Sequence, residues 1–189
     1  MNLLNDLRLE RSSVVANSRM NRERGAVGVN SYEKDLQFNA ITFLADRLKV
    51  ARGVAWLDLC CGRGRALLEA ATALRDFGAS RRVDLHGVDL VDEFDDAPPC
   101  AANVQLEVAS LHQWKPVRSY DLITCVHGLH YLGDKLSLIE KATGWLTNEG
   151  KFFANLDLAQ LRLAAGQSMA RRIAGSFRAG GMAGDKGRR

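Results

Sequence analysis

The amino-acid sequence predicts an α/β fold with a doubly wound, mostly parallel sheet, and three observations carry that expectation. Short apolar runs of strand length alternate with longer segments of helical periodicity. Glycines stand at the strand-to-helix turns, above all Gly62 and Gly64. The length of 189 residues, with 47% hydrophobic and 25% charged residues, suits one domain able to bury a core without disulfides.

Taken in chain order, residues 1–29 are polar and rich in Arg, Asn and Ser, and read as an arm. Leu3, Leu4 and Leu7 are the one hint of an amphipathic turn there. Asn30 and Glu33 have the spacing of a capping box. Leu36, Ala40, Ile41, Leu44 and Leu48 then recur at helical intervals, which predicts one helix ended by Gly53. A buried strand follows at 54–59, then the Gly62/Gly64 turn and a strong helix former over 66–74. Strands are expected at 83–89, 104–108 and 120–126, with a loop at 95–99. A helix over 136–146, closed by residues 148–150, leads to a fifth strand at 151–156. Residues 158–189 read as a short helix and a basic, Gly-rich tail, so the expected domain is 30–157. Such a sheet binds ligands at the carboxyl ends of its strands.

Composition narrows the class. No apolar run approaches the ~18 residues of a membrane span, and the N-terminus lacks a basic signal region, so a cytoplasmic protein without a membrane partner is expected. Cys60, Cys61, Cys100 and Cys125 form no C-x-x-C pair and read as reduced thiols rather than a metal set. The net charge of +4 is concentrated in Arg and Lys of the two ends, as solvated termini would have it. A nucleic-acid partner is the alternative reading of that charge.

The chemistry sits in the first turn. Asp58 ends a strand, and Gly62-x-Gly64 opens a helix whose N-terminus offers N–H groups to a carboxylate. A dinucleotide site asks for a third glycine, where this chain has Leu67. An acid four residues before Gly62 would repel a pyrophosphate but can order the loop or meet an ammonium.

Residues 58–64 (Asp-Leu-Cys-Cys-Gly-Arg-Gly) resemble the glycine loop of class I S-adenosylmethionine (SAM)-dependent methyltransferases, with Cys60 at the first glycine position. Three further segments resemble the family's motifs in order: Asp89-Leu90 after the second strand, residues 120–131 at the fourth strand and its loop, and residues 146–153 at the turn into the fifth. The resemblance implies a Rossmann-like methyltransferase fold, SAM as cofactor and S-adenosylhomocysteine (SAH) as product. It implies that Asp89 accepts the ribose hydroxyls, that Ser110 and Leu111 meet the adenine edge, and that Cys125 lines the cofactor wall. Tyr32 resembles a residue of the family's N-terminal lid. Ala109 stands where the family commonly has an acid.

A base for the methyl acceptor is expected in the loop after strand four, first His127, then His130 and Tyr131. The rival reading has these side chains pack at the start of a helix. The D/N-P-P-Y sequence of exocyclic-amine methyltransferases and the Pro-Cys of cytosine-C5 enzymes are both missing, which favours O- or N-methylation of a small-molecule substrate. An RNA methyltransferase and a non-catalytic SAM-binding protein are the alternatives. The family's last one or two strands find no counterpart in residues 158–189. A natural short form, a homodimer through the unfinished sheet edge or a truncated reading frame would each produce that.

Overall fold

The computed structural model describes residues 23–76, 82–97, 103–161 and 167–183. The Leu3–Leu7 turn, Pro98, Pro99 and Cys100, and the tail beyond residue 183 lie outside the described residues. The chain divides into two compact units, Met1–Asn155 and Leu156–Arg189.

The first unit is built on five strands: β1 (Val54–Leu59), β2 (Val83–Asp89), β3 (Val104–Val108), β4 (Tyr120–Cys125) and β5 (Leu146–Ala154), in the order β3-β2-β1-β4-β5. Every pairing is parallel. β1 and β4 are central and wholly buried, which is why they read as unbroken apolar runs. The helices are α1 (Tyr32–Leu36), α2 (Ala40–Leu48), α3 (Arg65–Asp76) and α4 (Lys135–Gly144). Leu44 and Leu48 of α2 and Leu67, Ala70 and Leu74 of α3 join Val54, Trp56, Leu85 and Leu122 in one core cluster. Leu57 and Ile123, one residue out of phase, are fully buried on the other face of the sheet. The guanidinium of Arg82, just before β2, donates to the carbonyls of Leu48, Ala51 and Arg52 and so closes the end of α2.

The helical stretch before β1 departs from expectation. Two helices replace one, because Gln37 takes a left-handed φ of 50° and ends α1. Ser31, not Asn30, caps α1 through Lys34 N, and Asn39 caps α2 through Thr42 N. Glu33 closes no capping box; its carboxylate accepts from Asn39 Nδ2 and braces the junction. α2 stops at Leu48, and Gly53 instead stands immediately before β1, where an added Cβ would lie 3.2 Å from the Arg82 carbonyl. The stretch read as an arm is described from residue 23 on, where it folds into a turn: Gly25 N donates to Asn30 O and Tyr32 N to Gly25 O. Ala26 is buried and its N–H donates to Glu69 of α3 at 2.7 Å.

The fifth strand begins earlier than expected, at Leu146, and takes in residues 148–150. Tyr120 pairs with Leu146 while Leu122 pairs with Lys151, so β5 carries extra residues as a bulge. Gly150 sits in that bulge, and a Cβ there would lie 2.8 Å from the Tyr120 carbonyl oxygen. Phe38, between α1 and α2, stacks on Phe153 of β5 at 4.1 Å, and the Lys151 ammonium lies over Phe38 and Phe43.

In the second unit, a 3-10 turn at Leu158–Gln160 precedes α5 (Ala170–Ala179), and Met169 N donates to Leu161 O. Among the described residues no strand follows β5.

Gly150→Ala is expected to cost roughly 2 kcal/mol, because backbone rather than a flexible side chain must give way. Urea denaturation checks this, and an unchanged midpoint would mean the bulge is loose.

Candidate cofactor site and active site

The carboxyl ends of β1, β2 and β4 converge on three loops. After β1 the chain turns through Cys60 (φ 57°), Gly62 (φ 58°) and Gly64 (φ 77°). Cys60, at the family's first glycine position, thus holds the backbone region that glycine enters without strain. Gly128, after β4, packs against this turn. A Cβ at Gly128 would lie 2.4 Å from Cys60 Cβ and 3.0 Å from Cys125 Sγ. The Cys60 thiol is pushed well above its ordinary range by its hydrogen bond with Cys125 and by burial, so it stays a neutral thiol.

Gly64 has the expected left-handed φ and is also tightly packed. Its Cβ direction meets Leu106 of β3 at 2.8 Å, so glycine there permits packing against the sheet. Leu67, at the place of the missing third glycine, is fully buried, and room for it comes from β2: a Cβ on Gly87 would lie 2.8 Å from Leu67 Cδ1. The close helix–strand approach that a dinucleotide fold secures on the helix is secured here on the strand.

Asp89, at the end of β2, is 6% exposed. Its Oδ2 accepts Gly62 N at 2.8 Å and its Oδ1 accepts Val91 N at 3.1 Å. The Asp89 carbonyl accepts Ala109 N at 2.9 Å, which brings partly buried Ser110 and buried Leu111 to the same end of the sheet as Asp89 and partly buried Leu90. The Asp95 carboxylate receives Arg63 Nε at 2.6 Å and Arg65 Nε at 2.7 Å, clamping the loop after β2 onto the glycine turn. Burial would raise the Asp95 carboxyl, but these two guanidiniums outweigh it and hold it below the usual range. Nothing in the sequence singles out Asp95, whose partners lie some thirty residues back.

Asp58 is fully buried. Tyr32 donates to Oδ2 at 2.7 Å and Thr124 to Oδ1 at 2.6 Å, while Trp56 Nε1 donates to Thr124 Oγ1 at 2.8 Å. Burial lifts the Asp58 carboxyl to about 7 against the opposing hydrogen bonds. Burial and the nearby Asp58 charge push the Tyr32 phenol well above its ordinary value. In this geometry Asp58 fastens α1 to the ends of β1 and β4.

His127 follows β4 with a left-handed φ of 58°. Its N–H donates to Asn155 Oδ1 at 3.2 Å, and its Nε2 lies 3.3 Å from Asp35 Oδ2. Burial lowers its pKa, as does the Arg24 charge, against the raising effect of Asp35. His130 and Tyr131 fall in a 3-10 turn (Leu129–Tyr131), and the His130 ring is 6.2 Å from that of His127. His86, in β2, sits between Tyr120 Oη at 3.0 Å and Glu107 at 3.3 Å, a structural place.

With this arrangement in view, comparison with known proteins identifies the class. A family model described as a methyltransferase domain matches residues 57–152, just over half of the chain, and the chain belongs to that family. YjhP from E. coli superposes with a TM-score of 0.52 at 19% identity, over 92% of this chain and 71% of that one. A SAM-dependent methyltransferase from Geobacter sulfurreducens, in complex with SAH, gives 0.51 at 16% identity, over 94% and 70%. At such identities the likeness establishes the Rossmann-like methyltransferase fold. The plantazolicin methyltransferase BpumL, with SAH, matches at 22% identity over 61% of this chain and 44% of its own, with a TM-score of 0.47. The chain spans about half the length of that protein and of coclaurine N-methyltransferase. No curated protein shows a significant match. Among the described residues no helix is long and apolar enough to cross a membrane.

The buried Asp58 gives a pH signature. Its carboxyl titrates near 7 in the folded chain and near 3.9 in an unfolded one. Folding therefore binds a proton between those values. The carboxyl's contribution is fully present below about 4 and is lost as pH rises through 7, roughly 4 kcal/mol in all. Asp58→Asn is expected to flatten the stability profile between pH 5 and 8 relative to the parent. Denaturant titrations across that range check it, and parallel profiles would rule out a perturbed Asp58.

Proposed function

We propose that this chain binds SAM at the carboxyl ends of β1, β2 and β4 and transfers its methyl group to an oxygen or nitrogen of a small molecule. The observation that carries the reading is Asp89: its carboxylate, buried at the end of β2, meets backbone N–H groups of both the glycine turn and the loop after β2, where a vicinal diol would bind. The glycine turn, closed by Asp95 on Arg63 and Arg65, forms the adjoining wall with Cys60 and Cys125. Leu90, Ser110 and Leu111 are placed to meet an adenine. Family membership supports the cofactor, and Cys60, Cys61 and Cys125, which form no disulfide, suit a reducing cytoplasm.

Bound SAM supplies a methyl group on an activated sulfonium, so the chain's task is to align the acceptor and take its proton. His127 is placed for the second part. Its pKa, lowered by burial and by the Arg24 charge, leaves the imidazole neutral at pH 7 and able to accept a proton. His130 lies behind it as a second, weaker candidate.

Calorimetry with SAM and SAH tests the cofactor assignment, and absence of heat with both would end it. Asp89→Ala is expected to weaken SAM by roughly 1.5–3 kcal/mol, through loss of charged hydrogen bonds. Parent affinity in that variant would remove Asp89 from the site. In a panel of small phenols, amines and carboxylates, His127→Ala is expected to lower kcat about a hundredfold or more with KM for SAM unchanged. SAM binding with no turnover by the parent chain would favour the non-catalytic reading. Transfer to RNA alone would favour the nucleic-acid one.

A further inference from the structure

One face of α1 spans two strand ends. Tyr32 and Asp35 are three residues apart and so share a side of the helix. Tyr32 reaches Asp58 at the end of β1, and Asp35 reaches His127 at the end of β4. Asp35 is held in turn: Arg24 Nε lies 3.1 Å from its Oδ2, and Arg24 also donates to Asn30 Oδ1 within the preceding turn. On the other side, Asn155 after β5 accepts the N–H of His127 and fixes a backbone conformation that a non-glycine residue adopts at a cost. The N-terminal turn, α1 and the residue after β5 thus meet around His127, with Asp35 in contact with the ring.

We infer that Asp35 is a positioning residue for His127, holding the imidazole with its proton on Nε2 and leaving Nδ1 as the proton acceptor. The inference rests on the methyl-transfer reading of the site. A carboxylate only accepts hydrogen bonds, so the contact at Nε2 requires N–H there and a lone pair at Nδ1. In the transfer step a bond forms between the acceptor atom and the methyl carbon as the carbon–sulfur bond breaks, its electron pair staying on sulfur. The acceptor's proton passes to Nδ1, and the imidazolium so formed lies against the Asp35 charge. The charged and titratable groups facing the ring are Arg24 from the N-terminal turn, Asp35 from α1 and His130 from the 3-10 turn; Asn155 is neutral. Arg24 holds Asp35 in place while its charge disfavours a proton on the resting imidazole. The base is therefore unprotonated before transfer and supported after it.

Nitrogen-15 NMR of the histidine rings in the full chain, with His127→Gln as the assignment control, reads tautomer and titration directly. The parent is expected to show His127 protonated at Nε2 in its neutral form. Asp35→Asn should abolish that preference and move the titration to lower pH, through loss of a negative neighbour. Arg24→Gln, which keeps Asp35, should preserve the tautomer and move the titration to higher pH. A proton on Nδ1 in the parent, or a ring indifferent to both substitutions, would overturn the inference. SAH calorimetry on the parent separates the two claims. An unbiased ring in a chain that binds SAH removes Asp35's role alone. A biased ring in a chain that binds neither SAM nor SAH removes the methyl-transfer reading, and Asp35's role with it.

Discussion

Placing the carboxyl of Asp58 wholly out of water forces its surroundings to satisfy it, and much of the site follows from how they do. Each oxygen takes one hydroxyl, from Tyr32 and from Thr124, and Thr124 is itself held by the Trp56 indole. Those partners belong to α1, β4 and β1. The N-terminal helix is thereby tied to the two central strands. Remove the carboxyl and the Tyr32 hydroxyl of α1 loses its partner at the end of β1. Asp35, one turn further along the helix, would then lose its reach to His127.

Around that anchor the fold separates packing from binding. Leu67, Gly87, Gly64 and Leu106 settle how closely α3 lies on the sheet, and none of them needs a ligand to explain it. Asp89, the Asp95 clamp and the Ser110–Leu111 turn gather at the strand ends, the side on which we propose SAM binds. The choice against a dinucleotide is therefore structural as well as chemical. A leucine occupies the third-glycine position because the strand opposite it gave up its side chain.

The sheet was legible in the sequence because β1, β2, β3 and β4 are short apolar runs with a clear length, and four of the five strands start where the apolar pattern does. β5 was legible only in its second half. Its first residues, Leu146–Gly150, look like a helix end followed by a turn, and only pairing to Tyr120 across a bulge makes them strand. The break between α1 and α2 was hidden for a similar reason: Gln37 carries no helix-breaking chemistry, and its left-handed conformation comes from Asn39 capping the next helix and Phe38 packing on Phe153. At the site, Asp58, Asp89 and His127 stand within recognisable motifs. Asp35 and Asp95 do not, since their roles exist only through partners thirty to ninety residues away. Gly64 reads from the sequence as a turn glycine, and its φ agrees; its close packing on Leu106 is visible only in the structure.

The central claim is that the strand ends around Asp89 hold SAM, with His127 facing the reacting methyl. A crystal structure of the chain with SAH tests it most directly. The ribose hydroxyls are expected within hydrogen-bond distance of the Asp89 carboxylate, the adenine beside Ser110 and Leu111, and the sulfur on the side of the pocket that His127 borders. SAH seated elsewhere, or a ribose held by other residues and not by Asp89, would contradict it.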